Sequence, residues 1–169
     1  TNRLNMPDLS SGGGNVKHPL LTLLEIENQM KQKDAETAAT FTNIHAMMQS
    51  LVVYMGIQDT DFYGSMPYSE AYRARYGGTL TPKYDTQEEL FNQFYAELKK
   101  ATDDLTNDVV VNGKTVSQVS LGNQDFVYKG DATKWAKFAN SLKLKLAVRL
   151  LKANPKLAKT IAQDAVSHK

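Results

Sequence analysis

The sequence predicts a mainly α-helical chain built of stacked antiparallel helix pairs, with one small β-hairpin near 109–117. Apolar residues recur at three- and four-residue spacing through most of the 169 residues, the period that puts side chains on one helical face. Proline or a capping aspartate stands just ahead of most of these stretches, where helices begin. A single Asn-Gly between β-branched residues supplies the strand signal.

Taken in order, residues 1–17 are polar around Ser10-Ser11-Gly12-Gly13-Gly14 and read as a flexible lead-in to a single helical domain over 18–169. Pro19 suits a first helical turn, where its missing N–H would be unpaired anyway. Leu20, Leu23, Leu24, Glu27 and Met30 then mark a helix over about 20–33. Asp34 caps a second helix. Its stripe runs Ala38, Phe41, Ile44, Met48, Leu51, Val52 and Met55, and it ends near Gly56. The segment 57–84 is rich in Gly, Pro, Tyr and Asp and reads as an ordered loop. Asp85-Thr86-Gln87-Glu88 reads as a capping box. It opens a strong helix over about 86–106, with Leu90, Phe91, Phe94, Leu98 and Leu105 on one face. Val109 to Val116 is the hairpin, its type I′ turn requiring positive φ at Asn112 and Gly113. Asp131 caps the longest helix, about 132–153. Trp135, Ala139, Leu142, Leu146 and Leu150 form one row and Leu144, Val148 and Leu151 a second, so this helix is expected to pack on two sides. Pro155 stops it and starts a last helix through about Val166.

Composition narrows the chemistry. Hydrophobic residues make up 41% and charged residues 22%, an ordinary globular balance that argues against disorder. Twenty Lys and Arg against 18 Asp and Glu leave +2, which predicts no nucleic-acid partner. The absence of cysteine excludes disulfides, zinc–thiolate sites and thiol nucleophiles. The longest apolar runs, such as Leu51-Val52-Val53, are far too short to span a bilayer. No export signal is legible.

His18, His45 and His168 are the only histidines, and none lies four residues from another, so no zincin-type site exists. There is no G-x-S-x-G elbow, and Gly12-Gly13-Gly14 lacks the Gly-Lys-Ser/Thr of a phosphate loop. Asp59-Thr60-Asp61 could share a divalent cation, which would point to an enzyme. Turn and cap chemistry is the plainer reading of that triplet. No catalytic residue, metal site or cofactor is therefore expected. Lys143-Leu-Lys-Leu-Lys-Leu-Ala-Val-Arg149 has the local look of an interfacial membrane helix. Trp135, Phe138 and Ala139 extend its apolar face upstream, as in a core helix with lysine stems lying along it.

The aromatics say more. Tyr63, Tyr68, Tyr72, Tyr76 and Tyr84 all lie within the irregular segment. The C–H face of a pyranose is apolar while its hydroxyls need polar partners, so aromatic rings beside polar side chains are what sugars stack on. Tyr63, Tyr68, Tyr72, Arg75 and Tyr76 are the candidate ligand contacts. The competing reading has these tyrosines packed on the helices with hydroxyls bonded at the rim.

Three blocks, in order, resemble the SusD/RagB-like nutrient-binding outer-membrane lipoproteins. They are Asp61-Phe-Tyr-Gly-Ser-Met-Pro-Tyr-Ser-Glu-Ala71; Pro82-Lys-Tyr-Asp-Thr-Gln-Glu-Glu-Leu-Phe91 with Glu97-Leu-Lys-Lys-Ala101; and Asp125-Phe-Val-Tyr-Lys-Gly-Asp131 with the run from Lys134 to Arg149. The resemblance covers roughly residues 18 to 155. It implies a tetratricopeptide-like α/α superhelix forming part of a larger fold. It implies a surface-exposed protein held at the outer membrane by a lipid anchor outside this chain. It further implies a SusC-like TonB-dependent barrel as partner, an oligosaccharide or peptide ligand, no cofactor and no catalysed reaction. Two departures stand out. Ser65 and Met66 replace the family's usual Asp and Val, removing a carboxylate. Family members are also much longer, and the C-terminal part that supplies much of their ligand pocket is not in this sequence. A helical protein–protein interaction scaffold with no small-molecule site of its own is the alternative.

Overall fold

A computed structural model describes residues 19–167. The lead-in over 1–17, His18 and His168 lie outside the described residues. Among those described there are six α-helices: α1 (Pro19–Lys31), α2 (Ala35–Ala39), α3 (Thr42–Tyr63), α4 (Gln87–Thr106), α5 (Ala132–Leu150) and α6 (Pro155–Ser167). One two-stranded antiparallel sheet joins β1 (Val110–Val111) to β2 (Lys114–Thr115).

Side-chain contacts give the helix directions. Gln49 of α3 reaches Glu97 of α4 while Gln87, at the other end of α4, reaches Thr60, so these helices are antiparallel. Lys143 of α5 meets Asp164 of α6, and the two helices join through the Leu151–Asn154 turn, so they too run antiparallel. Tyr54 meets Phe138 and Asp61 meets Arg149, which makes α3 and α5 parallel with α4 beside both. This is the stacking of successive helix pairs predicted from the periodicity. The core runs through Leu23 and Leu24 of α1, Val53 and Ile57 of α3, Phe94 and Leu98 of α4, Leu146 of α5 and Ile161 of α6. Each such buried side chain contributes about 1.5–3 kcal/mol relative to exposure.

Local chemistry explains where the elements start and where the sequence reading needs correction. Asp34 caps as predicted, accepting from the Thr37 N–H at 2.9 Å. The helix it opens, however, stops at Ala39, and α3 starts afresh at Thr42. Gln118 wedges into the break, donating to the Ala39 carbonyl and accepting from the Asn43 N–H, while the Val119 N–H takes the Thr40 carbonyl. Such a long-range partner satisfies helix-end groups that no local pattern announces.

Gly56 does not end α3, which continues to Tyr63. A Cβ at residue 56 would lie 2.7 Å from Cζ of Phe94, so glycine is there to admit that ring rather than to break the helix. The capping box is shifted by one residue: Thr86 is the cap, accepting from the Glu89 N–H, and the Glu89 carboxylate accepts from the Thr86 N–H at 2.7 Å. Asp85 is released for another purpose. The hairpin turn is as expected, with φ of 50° at Asn112 and 76° at Gly113. Helix α5 ends at Leu150 rather than 153.

Helix α5 does pack on two sides, but its second face is not the Leu144–Val148–Leu151 row. Ala136 is buried instead against Ala46, Met47, Ala101 and Leu105 of α3 and α4, and Lys143 on the α6 side. Leu144, Val148 and Leu151 stay exposed at 40%, 66% and 59%. Lys143 is wholly buried, and its ammonium reaches Asp164 at 2.8 Å.

Candidate functional site

The site is the irregular segment between α3 and α4, and buried acceptors determine its shape. Met66 and Asp85 pair as an antiparallel bridge, N–H to carbonyl both ways at 3.2 and 3.0 Å. This closes the segment at its base. The Asp85 side chain, 3% exposed, then points inward. It accepts from the Tyr68 N–H at 3.0 Å, the Ser69 N–H at 2.7 Å and the Ser69 hydroxyl at 2.7 Å, with the Lys83 ammonium at 3.3 Å. Burial by itself would raise this carboxyl; the Ser69 and Tyr68 donors and Lys83 outweigh it and hold it below its ordinary value.

A second acceptor, Glu97 of α4, receives the Tyr68 hydroxyl at 2.6 Å, Gln49 at 2.8 Å and Gln93 at 2.8 Å. Here burial wins, and the carboxyl is pushed above its ordinary value despite those donors. The Tyr68 ring stands edge-on to Phe94 at 5.0 Å. Tyr68 is thus the pin of the loop: backbone on Asp85, hydroxyl on Glu97, ring on the core.

Beyond the pin, Tyr72 takes a left-handed conformation, φ 59°, and starts a short 3₁₀ turn over Arg73–Tyr76. The Arg73 Nε–H donates to the Ser69 carbonyl at 2.7 Å. Gly77, φ 83°, ends the turn, and the Gly78 N–H returns to the Arg73 carbonyl at 2.9 Å. A Cβ on Gly78 would sit 2.6 Å from Cβ of Arg73, so this close return needs glycine. The turn faces α1. The Tyr76 hydroxyl donates to Oε2 of Glu25 at 2.7 Å, and Nη1 of Arg75 lies 3.9 Å from the same oxygen. A cleft of about 80 Å³ lies between Met66, Pro67, Tyr68 and Tyr72 of this segment and Pro19, Leu20, Val52 and Met55 of α1 and α3.

The sequence candidates therefore fall into three places. Tyr72, Arg75 and Tyr76 share the turn over α1. Tyr68 lines the cleft but is only 5% exposed. Tyr63 sits apart on the last turn of α3, 59% exposed, its ring edge-on to Phe62 at 4.9 Å. Sequence reasoning missed Glu25, Asp85 and Glu97. Only Asp85 carried a signal, and it was absorbed into the capping pattern. The Asp59-Thr60-Asp61 triplet has a structural use: Asp61 takes the guanidinium of Arg149 in a two-pronged contact, Nε reaching Oδ1 at 2.7 Å and Nη2 reaching Oδ2. Among the described residues no group of three or more His, Cys, Asp or Glu could hold a metal ion, and no helix is long and apolar enough to cross a membrane.

A comparable buried carboxylate shapes the loop before α5. Asp125 accepts from the N–H groups of Val127, Tyr128 and Gly130 and from Nε1 of Trp135, the last at 2.7 Å.

Comparison with known proteins decides the family. Residues 15–169 match the SusD-like family described as starch-binding and associating with the outer membrane. The chain belongs to this SusD-like family. Among solved structures it is similar to a SusD homologue from Bacteroides uniformis, with 33% identity over 90% of this chain and a TM-score of 0.68. It is also similar to a chitin-binding SusD homologue from Flavobacterium johnsoniae, with 29% identity over 90% and a TM-score of 0.69. A SusD homologue from Parabacteroides distasonis matches with 26% identity over 88% and a TM-score of 0.67. The SusD-like chain described here spans 28%, 30% and 27% of the lengths of these three relatives. No curated protein sequence matches it.

Proposed function

We propose that this chain is the helical scaffold of a non-catalytic protein that captures nutrient glycans or peptides at the cell surface. In this reading the whole protein is lipid-anchored to the outer membrane and forms the lid of a SusC-like TonB-dependent barrel. The observation that carries it is the pinned loop: the segment bearing Tyr72, Arg75 and Tyr76 is held by two carboxylates, buried Asp85 and half-buried Glu97, with Tyr68 and Tyr72 lining a cleft against α1 and α3. Rigid presentation of aromatic and polar groups is what a preformed ligand site requires. Membership of the SusD-like family supports the class of function, and the chitin-binding relative supports a glycan ligand.

The contact residues in this proposal are Tyr63, Tyr72, Arg75 and Tyr76, with Tyr68 supporting them from below. Isothermal calorimetry of the complete protein against a panel of oligosaccharides and peptides tests it. Binding to at least one family of ligands is expected, and silence across the panel would refute nutrient capture.

The interaction-scaffold reading is favoured by one observation, the exposed Leu144–Val148–Leu151 row. Co-purification separates the two. The lid reading expects a SusC-like barrel to be retained, whereas a generic scaffold retains other proteins through this row and loses them on Val148→Asp.

A further inference from the structure

We propose a second saccharide subsite, for one neutral sugar ring, in the cavity between the start of α4 and the start of α6. It lies apart from the Arg73–Tyr76 turn and rests on the reading that the whole protein captures glycans.

The cavity has a volume of about 230 Å³ and lies between Gln87, Phe91 and Asn92 of α4 and Leu150, Asn154 and Leu157 at the α5–α6 junction. It shares no lining residue with the cleft against α1 and α3. Sites for drug-sized ligands run to about 300–1,000 Å³, so this one has room for a ring rather than for a chain. Phe91, Leu150 and Leu157 make part of its wall apolar, and three side-chain amides make part of it polar. A pyranose needs both, because its C–H face is apolar and its edge carries hydroxyls.

The three amides have fixed orientations. Nε2 of Gln87 donates to the Thr60 carbonyl at 2.9 Å, and Nδ2 of Asn92 donates to the Glu88 carbonyl at 2.9 Å. Oδ1 of Asn154 accepts from the Leu157 N–H at 3.0 Å, in the first turn of α6. A carbonyl only accepts and a backbone N–H only donates, so none of these amides can be turned over. What each offers a ligand is therefore defined: a carbonyl oxygen on Gln87, another on Asn92, and an NH₂ on Asn154. Sugar hydroxyls both donate and accept, and so match this mixture. Side chains already anchored at one end also lose less freedom when a ligand binds.

Charge points to a neutral sugar. Glu88 is the one charged residue of the lining. A carboxylate there accepts from hydroxyls and repels uronates and phosphates. Arg149, next to Leu150, is engaged by Asp61, and Glu89 is spent on the Thr86 cap. Two of these contacts also extend the site. Gln87 holds the Thr60 carbonyl and Arg149 holds Asp61, which puts the exposed rings of Phe62 and Tyr63 at the same end of the helices. Such rings give a following sugar unit a surface to stack on, a role for Tyr63 that fits its distance from the turn.

The test is diffraction from crystals of the complete protein soaked in maltohexaose or chitohexaose, with calorimetry of the same ligands in solution and hexagalacturonate as the charged control. Asn154→Asp keeps the acceptor for the Leu157 N–H and removes the NH₂ donor. Ala153→Phe fills the cavity from an exposed position on its wall. One ring of a neutral hexamer is expected in the cavity of the wild type and none in that of Ala153→Phe. The matching calorimetric step should weaken about two- to tenfold in Asn154→Asp. Hexamer bound only elsewhere, occupancy and affinity unchanged in both variants, or preference of the cavity for hexagalacturonate would overturn the second subsite and leave nutrient capture standing. Failure of the complete protein to bind any ligand of this set or of the wider panel would overturn nutrient capture itself, and the subsite with it.

Discussion

Asp125→Asn is the sharpest probe of how this chain builds its loops. Oδ1 of Asp125 accepts from Val127 and Tyr128 at 2.9 and 3.2 Å, and Oδ2 accepts from Gly130 and Trp135 at 2.8 and 2.7 Å. Asparagine keeps one acceptor and turns the other into a donor, so two N–H groups face a donor whichever way the amide is placed. With about 1–3 kcal/mol for each unsatisfied buried group, the loss at neutral pH is about 2–6 kcal/mol.

The pH dependence gives an independent figure. Burial acts to raise the Asp125 carboxyl, but Trp135 and the three backbone donors outweigh it and bring it from 3.8 to about 2. That is worth about 2.4 kcal/mol. Because the folded value is the lower one, this stability is present above about 3.8 and is lost as pH falls through about 2. The gap between wild type and Asp125→Asn should therefore narrow by about 2 kcal/mol between pH 7 and pH 2. Other carboxylates titrate over the same range, but they are common to both proteins and cancel in the difference. Urea unfolding followed by fluorescence reads the gap directly, since Trp135 is the only tryptophan. A gap that is constant with pH, or a variant as stable as wild type at pH 7, would refute the reasoning.

Three other perturbations have definite expectations. Asp164→Asn leaves the ammonium of wholly buried Lys143 without its charge partner and should cost about 3–5 kcal/mol, while Lys143→Met with Asp164→Leu should be close to neutral; urea midpoints of the two variants decide it. Gly56→Ala should destabilise by about 1–2 kcal/mol despite alanine's better helix propensity, because its Cβ meets Phe94 at 2.7 Å; thermal melts should show partial rescue by Phe94→Leu. Glu97→Gln should cost little above neutral pH and flatten part of the pH response. Burial raises the folded carboxyl above 4.5, so its contribution is full below 4.5 and is lost as pH rises through the raised value, as stability curves from pH 4 to 8 would show.

Much of the architecture is legible in the sequence because it rests on local rules. The 3.6-residue period locates the main helices, proline at 19 and 155 marks two starts, and Asn112-Gly113 announces the hairpin. The errors fall where tertiary contacts overrule local ones. Gln118 closes a break at Thr40–Phe41 from 75 and 79 residues away, and no window around Phe41 contains that information. Gly56 resembles a terminator because the ring it accommodates lies on another helix. Asp85 resembles a cap because caps and loop anchors use the same short acceptor side chain. Lys143, in a run of alternating lysines, is indistinguishable from its solvated neighbours until Asp164 comes into view on the next helix.

The site is legible in its family and not in its contacts, and the structure gives the reason. The three sequence blocks that carry the resemblance touch one another: Asp61 of the first meets Arg149 of the third, Tyr68 and Ser69 of the first meet Asp85 and Glu97 of the second, and Asp125 meets Trp135 within the third. Their distinctive residues are the joints of the scaffold, which is why order and spacing identify the fold so well. A joint must be buried to work, and a ligand contact must be reachable. Tyr68 meets the first requirement, while Tyr72, Arg75 and Tyr76 meet the second by standing on what Tyr68 holds. Composition could not separate these roles, because a tyrosine that pins a loop and one that faces a sugar are the same letter. The hydrogen bonds distinguish them: the hydroxyl of Tyr68 goes to Glu97 on the adjacent core helix, among three donors, and that of Tyr76 to Glu25 at the edge of α1.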